Sequence, residues 1–140
     1  MPIIITQDIL SATEQPVAGW SLAVLKDYTE KPNKKQTGMD SFFVFELLEG
    51  PGSSNVNKGR TFIHTVYSSA IEARVSEECR KYIQLLCALT GATSEELIGK
   101  EVDPLDYVTN RIWVNIIDEP YEGRILKKAS EFSPDGVVPF

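Results

Sequence analysis

Aromatic and basic side chains are concentrated in residues 19–65, and they are the side chains of this chain best suited to binding a ligand. Three strand-like segments in this region read GWSLAVLKD, DSFFVFELLEG and GRTFIHTV, and two polar loops, YTEKPNKKQTG and PGSSNVNKG, separate them. Aromatic faces stack on unpaired bases, and mobile basic loops neutralise the phosphates that join those bases. The region therefore predicts a surface that binds single-stranded nucleic acid.

The basic residues of this region and of the C-terminal hairpin are the predicted phosphate contacts. Three lysines lie in the first loop, two basic residues lie at the end of the second loop, which we expect to be flexible, and one arginine follows the sequence EPYEG. These candidates are Lys31, Lys34, Lys35, Lys58, Arg60 and Arg124. Each of them could equally be an ordinary solvated charge, so their value depends on where the fold places them.

The alternation of side chains along a strand separates stacking candidates from core residues in the segment FFVFE. Successive side chains of a strand point to opposite faces. Phe43 and Phe45 therefore share one face, and Phe42 shares the other face with Glu46. Because a glutamate is rarely buried, we expect Phe42 to face solvent and to stack on a base, and we assign Phe43 and Phe45 to the core.

The same reasoning applied to the third segment gives two more candidates. Phe62 and His64 have the parity of Arg60 and the opposite parity to Ile63. The charged and polar members of that set favour an exposed face, which predicts Phe62 as a second stacking residue and His64 as a polar residue of the binding face. Trp113 is a further stacking candidate, with a core position as its alternative.

Patterns for catalysis, metal binding or nucleotide hydrolysis do not occur in this sequence. His64 is the only histidine, and there is no HExxH, CxxC or Cys–His grouping. The loop GPGSSNVNKGR lacks the GK[ST] ending of a phosphate-binding loop and precedes a strand instead of a helix. A metal-dependent nuclease using Asp103, Asp106 and Asp118 is an alternative, but a solvated acidic loop explains these residues better. We expect no enzymatic activity, no cofactor and no metal.

Hydrophobic periodicity predicts the elements that must position the binding residues. Three strands are predicted: residues 19–27 from a period-two alternation, residues 40–49 from an apolar run typical of a strand covered on both sides, and residues 59–67 from their β-branched and aromatic side chains. An apolar stripe stepping by three and four over residues 70–90 then predicts one long helix of about five turns, with a capping box at Ser69 and Glu72 and an end at Gly91. Residues 111–118 and 124–132 predict two further strands that form a hairpin.

This element order, with three strands, a helix and two strands, is that of the OB-fold. The predicted fold is mainly β, a five-stranded Greek-key barrel with one long helix between strands 3 and 4. Ligands bind this fold on strands 2 and 3 and on the loops joining strands 1–2 and 4–5, which are the loops that carry the lysines and Arg124. We divide the chain into an N-terminal arm (1–18), the OB-fold domain (19–132) and a C-terminal tail (133–140).

Composition limits these interpretations. The 140 residues suit a single domain, and no window approaches the apolar length of a membrane span, so we expect no membrane partner. The N-terminal sequence MPIIITQDIL lacks the basic region of a signal peptide, and we therefore expect a cytoplasmic protein. Cys79 and Cys87 would lie roughly 12 Å apart along the predicted helix, which is too far for a disulfide. The net charge of −6 opposes nucleic-acid binding, although every charge from Lys31 to Lys35 is positive.

The chain resembles a family in the segment running into the lysine loop and in FVFELLEG, NKGRTF, YIQLLCALTG and WVNIIDEPYEG. Together these pieces are similar to the small OB-fold single-stranded DNA-binding proteins of bacteriophages and to related phage proteins of replication and recombination modules. The resemblance covers residues 19–132. It implies coating of unpaired DNA during replication, recombination or repair, without catalysis or cofactor, in the cytoplasm of the host cell.

The C-terminal residues Pro139 and Phe140 match the Pro-Phe tip with which bacterial single-stranded DNA-binding proteins dock partner enzymes. The acidic character that accompanies this tip in those proteins is weak here, because the last ten residues carry two acids, Glu131 and Asp135. The net charge of −6 and the Pro-Phe tip fit an alternative function, an OB-fold adaptor that recruits replication or recombination proteins. Exposed strand edges could also pair two chains into a homodimer, and base stacking does not distinguish DNA from RNA.

Overall fold

A computed structural model describes residues 2 and 4–140, and a five-stranded antiparallel sheet dominates it. The strands are β1 (Gly19–Pro32), β2 (Met39–Glu49), β3 (Thr61–Val66), β4 (Arg111–Tyr121) and β5 (Arg124–Pro134). Their order across the sheet is β3-β2-β1-β4-β5. The prediction of a mainly β chain with five strands is confirmed, and so is the helical segment between the third and fourth strands.

Short helices surround the sheet. They are α1 (Gln7–Ala12), α2 (Ser68–Glu72), α3 (Ser76–Thr90) and α4 (Ser94–Leu97), with a 3₁₀ turn at Pro104–Tyr107. Thr93 and Glu96 form a reciprocal capping box at the start of α4. Within the described part of the chain, no helix has the length and apolar character needed to cross a membrane.

The single long helix predicted over residues 70–90 is wrong, because the chain breaks between α2 and α3. Arg74 adopts a left-handed backbone with φ of 55°, and the Val75 N–H donates to the Ala70 carbonyl at 3.0 Å, which closes a turn. The capping box predicted at Ser69 is also wrong, since the N-cap is Tyr67, two residues earlier, and it makes no side-chain cap hydrogen bond. α3 ends at the left-handed Gly91, as predicted.

The core lies between the inner face of the sheet and α3. Phe43 and Phe45 are fully buried, which confirms their assignment to the core. The other fully buried apolar side chains come from four strands and α3 and include Leu25, Leu47, Leu85, Ile112, Val114 and Ile116. Both cysteines on α3, Cys79 and Cys87, are free thiols.

β1 and β2 extend further than the sequence predicts and shorten the loop between them. Their pairing continues through Lys31 with Asp40 and Pro32 with Met39, so that only residues 33–38 remain outside the strands. A register shift between Leu25 and Asp27 marks an irregularity in β1. Lys31 therefore lies on a strand, whereas Lys34 and Lys35 lie on a short, tight connection.

Candidate nucleic-acid interface

The side of β1, β2 and β3 that points away from the core forms a continuous surface, which we call the outer face. Cross-strand pairing aligns Thr29, Phe42 and Thr65 in one row and Asp27, Val44 and Ile63 in the next. The alternating residues of β2 are buried on the other side, so the prediction that Phe42 faces outward is confirmed. Ile63 is 52% exposed and extends the apolar part of this surface.

Lys31 and Phe42 meet on the outer face. The Lys31 Nζ lies 5.4 Å from the centroid of the Phe42 ring, within the range of a cation–π interaction. Lys31 reaches the ring because it pairs with Asp40, two residues before Phe42, and is therefore its diagonal neighbour. The pair combines a ring on which a base could stack with a cation that could meet the adjoining phosphate.

The loop that carries Lys34 and Lys35 is fixed at its base. The Asn33 Nδ2 donates to the Ser68 hydroxyl at 2.9 Å, and the Ser68 backbone N–H donates to the Asp40 carboxylate at 2.9 Å. These bonds attach the loop to the start of α2. Lys34 and Lys35 are exposed on a supported turn, so binding a phosphate there would require little ordering of the backbone.

Ion pairs divide the basic residues into two groups of equal size. Seven of the fourteen pair with carboxylates: Lys26 with Glu46, Arg60 with Glu14, Arg80 with Glu77, Lys81 with Glu78, Arg111 with Asp135, Lys127 with Asp118, and Lys128 with Glu119. Among residues 2 and 4–140, those without such a partner are Lys31, Lys34, Lys35, Lys58, Arg74, Lys100 and Arg124. Three of these seven lie within five residues at the edge of the outer face.

Phe62 and His64 face the core, so their predicted exposure is wrong. Phe62 is 3% exposed opposite Phe45, and His64 is 7% exposed opposite Phe43. The strand begins at Thr61, so Arg60 belongs to the preceding loop and says nothing about the alternation. The outward residues of β3 are Thr61, Ile63 and Thr65.

His64 packs across the gap between β3 and β5. Its ring makes an edge contact with Phe132 of β5, with centroids 5.1 Å apart. Burial, with a smaller contribution from the positive charge of Lys81, lowers the pKa of His64 to about 4. A cavity of about 470 Å³ adjoins it, lined by residues of β3, α3 and β5 together with Tyr67 and Ala70. His64 is thus a neutral core residue.

The loop between β2 and β3 is anchored, contrary to the predicted flexibility. The fully buried Asn57 side chain accepts the Val17 N–H at 2.7 Å and donates to the Val17 carbonyl and the Ser21 hydroxyl, each at 2.9 Å. The Gly52 N–H also donates to the Trp20 carbonyl at 2.8 Å. Lys58 is exposed on this anchored loop.

Arg60 holds the N-terminal arm. Its guanidinium donates to the Glu14 carboxylate at 2.7 Å and to the Gln15 carbonyl at 3.0 Å. Arg60, a predicted phosphate contact, is therefore already engaged in an ion pair within the protein. Arg60 and Lys58 lie at the opposite end of β3 from Lys34, a separation of about 20 Å for six residues, so the structure does not bring all the predicted basic residues together.

Trp113 lies under the C-terminal tail. It is 5% exposed, and the Phe140 ring meets it edge-on with centroids 5.3 Å apart. Its Nε1 is buried without a hydrogen-bond partner in the described part of the chain. Trp113 is thus buried beneath the tail and is not open for stacking, but it lies on the opposite side of β4 from the core residues Ile112 and Val114. Pro139 is half-buried beside the exposed Phe140.

Arg124 lies at the tip of the β4–β5 hairpin. Glu122 and Gly123 both have positive φ, 49° and 79°, which is the geometry of a two-residue turn that matches strand twist. Arg124 is exposed next to Tyr121, which is 48% exposed. This site remains accessible to a phosphate, although it is separate from the Lys31–Phe42 pair.

Two residues of the outer face, Ile63 and Tyr67, are not among the binding residues predicted from the sequence. Ile63 has the opposite parity to the predicted stacking residue Phe62, and Tyr67, which is 55% exposed, follows Thr65 on the same side. Their common parity with Thr61 was the available signal. No protein-family model matches this chain, and no curated protein sequence shows significant similarity to it. The geometry described above is therefore the basis for a functional assignment.

Proposed function

We propose that this chain binds single-stranded DNA with little sequence preference and without catalysis, as the phage proteins that it resembles do in replication, recombination and repair. The observation that carries the proposal is the outward Phe42 ring with the Lys31 Nζ 5.4 Å from its centroid. Lys34 and Lys35 continue the same edge without ion-pair partners among the described residues. A ring beside clustered free cations suits a base and its phosphates.

The sheet supports an OB-like barrel as the fold that presents this face. The strand order β3-β2-β1-β4-β5 leaves β3 and β5 as the two edges. The His64–Phe132 ring contact brings these edges near one another, as closure of the sheet into a barrel requires. The helical segment also falls between β3 and β4, where the OB-fold has it.

Binding through these residues would be tolerant of sequence. A base stacks on Phe42 through its face, which all four bases share, and stacking contributes about 1–3 kcal/mol per base. Lys31, Lys34 and Lys35 meet phosphates, which carry no sequence information. The apolar side chains of Val44 and Ile63 would extend the platform without selecting one base.

Anisotropy of a labelled oligo-dT strand tests this proposal. We expect binding that weakens with salt, with a slope of log K against log salt of about −2 for three neutralised phosphates on a single strand. Phe42→Ala should weaken binding about 5- to 100-fold. A matched RNA strand measures the preference for the sugar.

Paired lysine variants provide the control. Lys35→Ala should weaken binding and reduce the salt slope by about 0.7, whereas Lys100→Ala removes an exposed cation elsewhere and should leave both unchanged. Absence of salt-sensitive binding at low ionic strength would refute the proposal. Equal losses in the two lysine variants would show that only the overall charge matters, and would refute the outer face as the interface.

A protein-docking role for the C-terminal tail is the second candidate. Val137, Val138 and Phe140 are 57%, 60% and 56% exposed, an apolar group on the surface. An adaptor function predicts that removing residues 137–140 abolishes capture of replication or recombination proteins while the affinity for oligo-dT is kept. If the shortened chain captures the same proteins, the tail does not dock them.

A further inference from the structure

A second cavity, of about 350 Å³, opens where the lysine loop meets the end of β3. Its lining combines two cations, several hydroxyl or amide groups and one aromatic ring: Asn33, Lys34, Lys35, Thr37, Asp40, Tyr67 and Ser69. Pockets for small ligands begin at about 300 Å³, so the space suits one compact polar group with a flat ring.

Tyr67 extends the outer face by one row. Its backbone is extended, with φ of −83° and ψ of 123°, so it continues the outward alternation of Ile63 and Thr65. Thr65 pairs with Phe42 on β2, which makes Tyr67 the diagonal neighbour of Phe42. Diagonal neighbours on adjacent strands lie about 7–8 Å apart, a distance that one nucleotide step of an extended strand can span.

The ring of Tyr67 is available, and its surroundings are fixed. Tyr67 is 55% exposed and immediately precedes α2. Next to it, the Asp40 carboxylate accepts hydrogen bonds from the Ser68 N–H and hydroxyl at 2.9 and 3.2 Å. Asn33 joins the same network through Ser68. The bonds hold the loop and the start of α2 together, so the cavity exists before a ligand arrives.

The charges of the cavity favour an anion at its loop side. Lys34 and Lys35 have no carboxylate partner within residues 2 and 4–140, whereas the one carboxylate of the lining, that of Asp40, is already engaged by two donors. A phosphate would thus meet two free cations at the loop, and the ring of Tyr67 would be left for an uncharged planar group.

We propose that this cavity is a nucleotide subsite, in which Tyr67 stacks on the base next to the one on Phe42 and Lys34 and Lys35 bind the phosphate between them. The subsite rests on the proposed binding of single-stranded nucleic acid and extends it by one defined position. The two rings lie on diagonal positions and the cations lie at the edge of the sheet, so the bound nucleic acid would run diagonally across β2 and β3.

The test compares Tyr67→Ala and Tyr67→Phe on two labelled strands, oligo-dT and an abasic strand of the same length. Tyr67→Ala should weaken binding of oligo-dT about 5- to 100-fold, and Tyr67→Phe, which keeps the ring, should stay within about twofold. On the abasic strand the wild type and Tyr67→Ala should bind equally, because no base is present to stack.

The outcomes separate the subsite from the general function. If Tyr67→Ala binds oligo-dT like the wild type while Phe42→Ala is weakened, the subsite is wrong and the proposed function stands. If Tyr67→Ala weakens both strands equally, the residue acts on the structure of the loop and the subsite is also wrong. If the wild type does not bind oligo-dT at all, the proposed function itself is wrong.

Discussion

Asn57 offers the strongest test of the fold that supports the interface. Its amide forms three hydrogen bonds inside the protein, two with the Val17 backbone and one with the Ser21 hydroxyl, at 2.7–2.9 Å. Both Asn57 and Ser21 are fully buried, so water cannot replace the lost partner. The side chain thus links the β2–β3 loop to the N-terminal arm and to the start of β1.

Asn57→Ala removes all three bonds. At about 1 kcal/mol net for each bond, with a further penalty for buried groups left unsatisfied, the free energy of unfolding should fall by about 3–4 kcal/mol. This is a large part of the stability of an ordinary domain, about 5–15 kcal/mol. Urea unfolding should show the midpoint lowered by about 1.5 M, and the melting temperature should fall by about 10 °C.

Asn55→Ala is the matched control, because Asn55 is an exposed residue of the same loop and its backbone carbonyl is the group that accepts a bond, from the Lys58 N–H. It should change the unfolding free energy by less than about 0.5 kcal/mol. Asn57→Asp keeps the shape but replaces both donors with a charge, and should be at least as damaging as Asn57→Ala. If Asn57→Ala unfolds at the same urea concentration as Asn55→Ala, the reasoning about this anchor is refuted.

Two further predictions concern His64 and the tail. The pKa of His64 in the folded protein is about 4, below its ordinary 6.5. Its contribution to stability is therefore complete above pH 6.5 and should be lost as the pH falls toward 4, by up to about 3 kcal/mol. His64→Gln should flatten the dependence of the unfolding free energy on pH in this range, as measured by urea unfolding, and an unchanged dependence would show that burial does not lower this pKa. In a Trp20→Phe background, Phe140→Ala should increase acrylamide quenching of Trp113, whereas Val138→Ala should not, and equal quenching in both would show that Phe140 does not cover the indole.

Local alternation predicted β2 correctly, but the same reasoning failed on β3. In FFVFE the glutamate belongs to the strand, so its polarity reports the exposed face of Phe42. In GRTFIHT the arginine precedes the strand, and its apparent parity with Phe62 carries no information. The polarity of His64 also suggested an exposed face, but a neutral imidazole can be buried among aromatic rings, as His64 is. Strand limits, which depend on pairing with distant residues, decided the outcome.

The apolar stripe over residues 70–90 predicted one continuous helix, and this prediction failed for a similar reason. Ile71 and Tyr82 both pack against the core, so their spacing is helical on average even though the backbone breaks at Arg74. Periodicity reports which side chains face the core and is insensitive to one turn of different geometry. The anchoring of the β2–β3 loop was equally hidden, because an asparagine in a Gly- and Ser-rich segment usually indicates a turn, and its partners Val17 and Ser21 are remote in sequence.

The net negative charge of the chain is compatible with a negatively charged ligand, because the charges nearest to the ligand determine the local field. Half of the cations are already neutralised by carboxylates, and those pairs contribute little to the field at a distance. At physiological salt the Debye length is about 8 Å, so a phosphate at the outer face responds to the charges nearest to it. Those are the free Lys31, Lys34 and Lys35. The carboxylates nearby are those of Asp40, which is already engaged by Ser68, of Asp27 in the adjoining row of the outer face, and of Glu72, which lies beside Gly38 of the lysine loop. Distant acids would lower the affinity at low salt, where screening is weak, and the measured salt slope would then be shallower than the lysine count predicts.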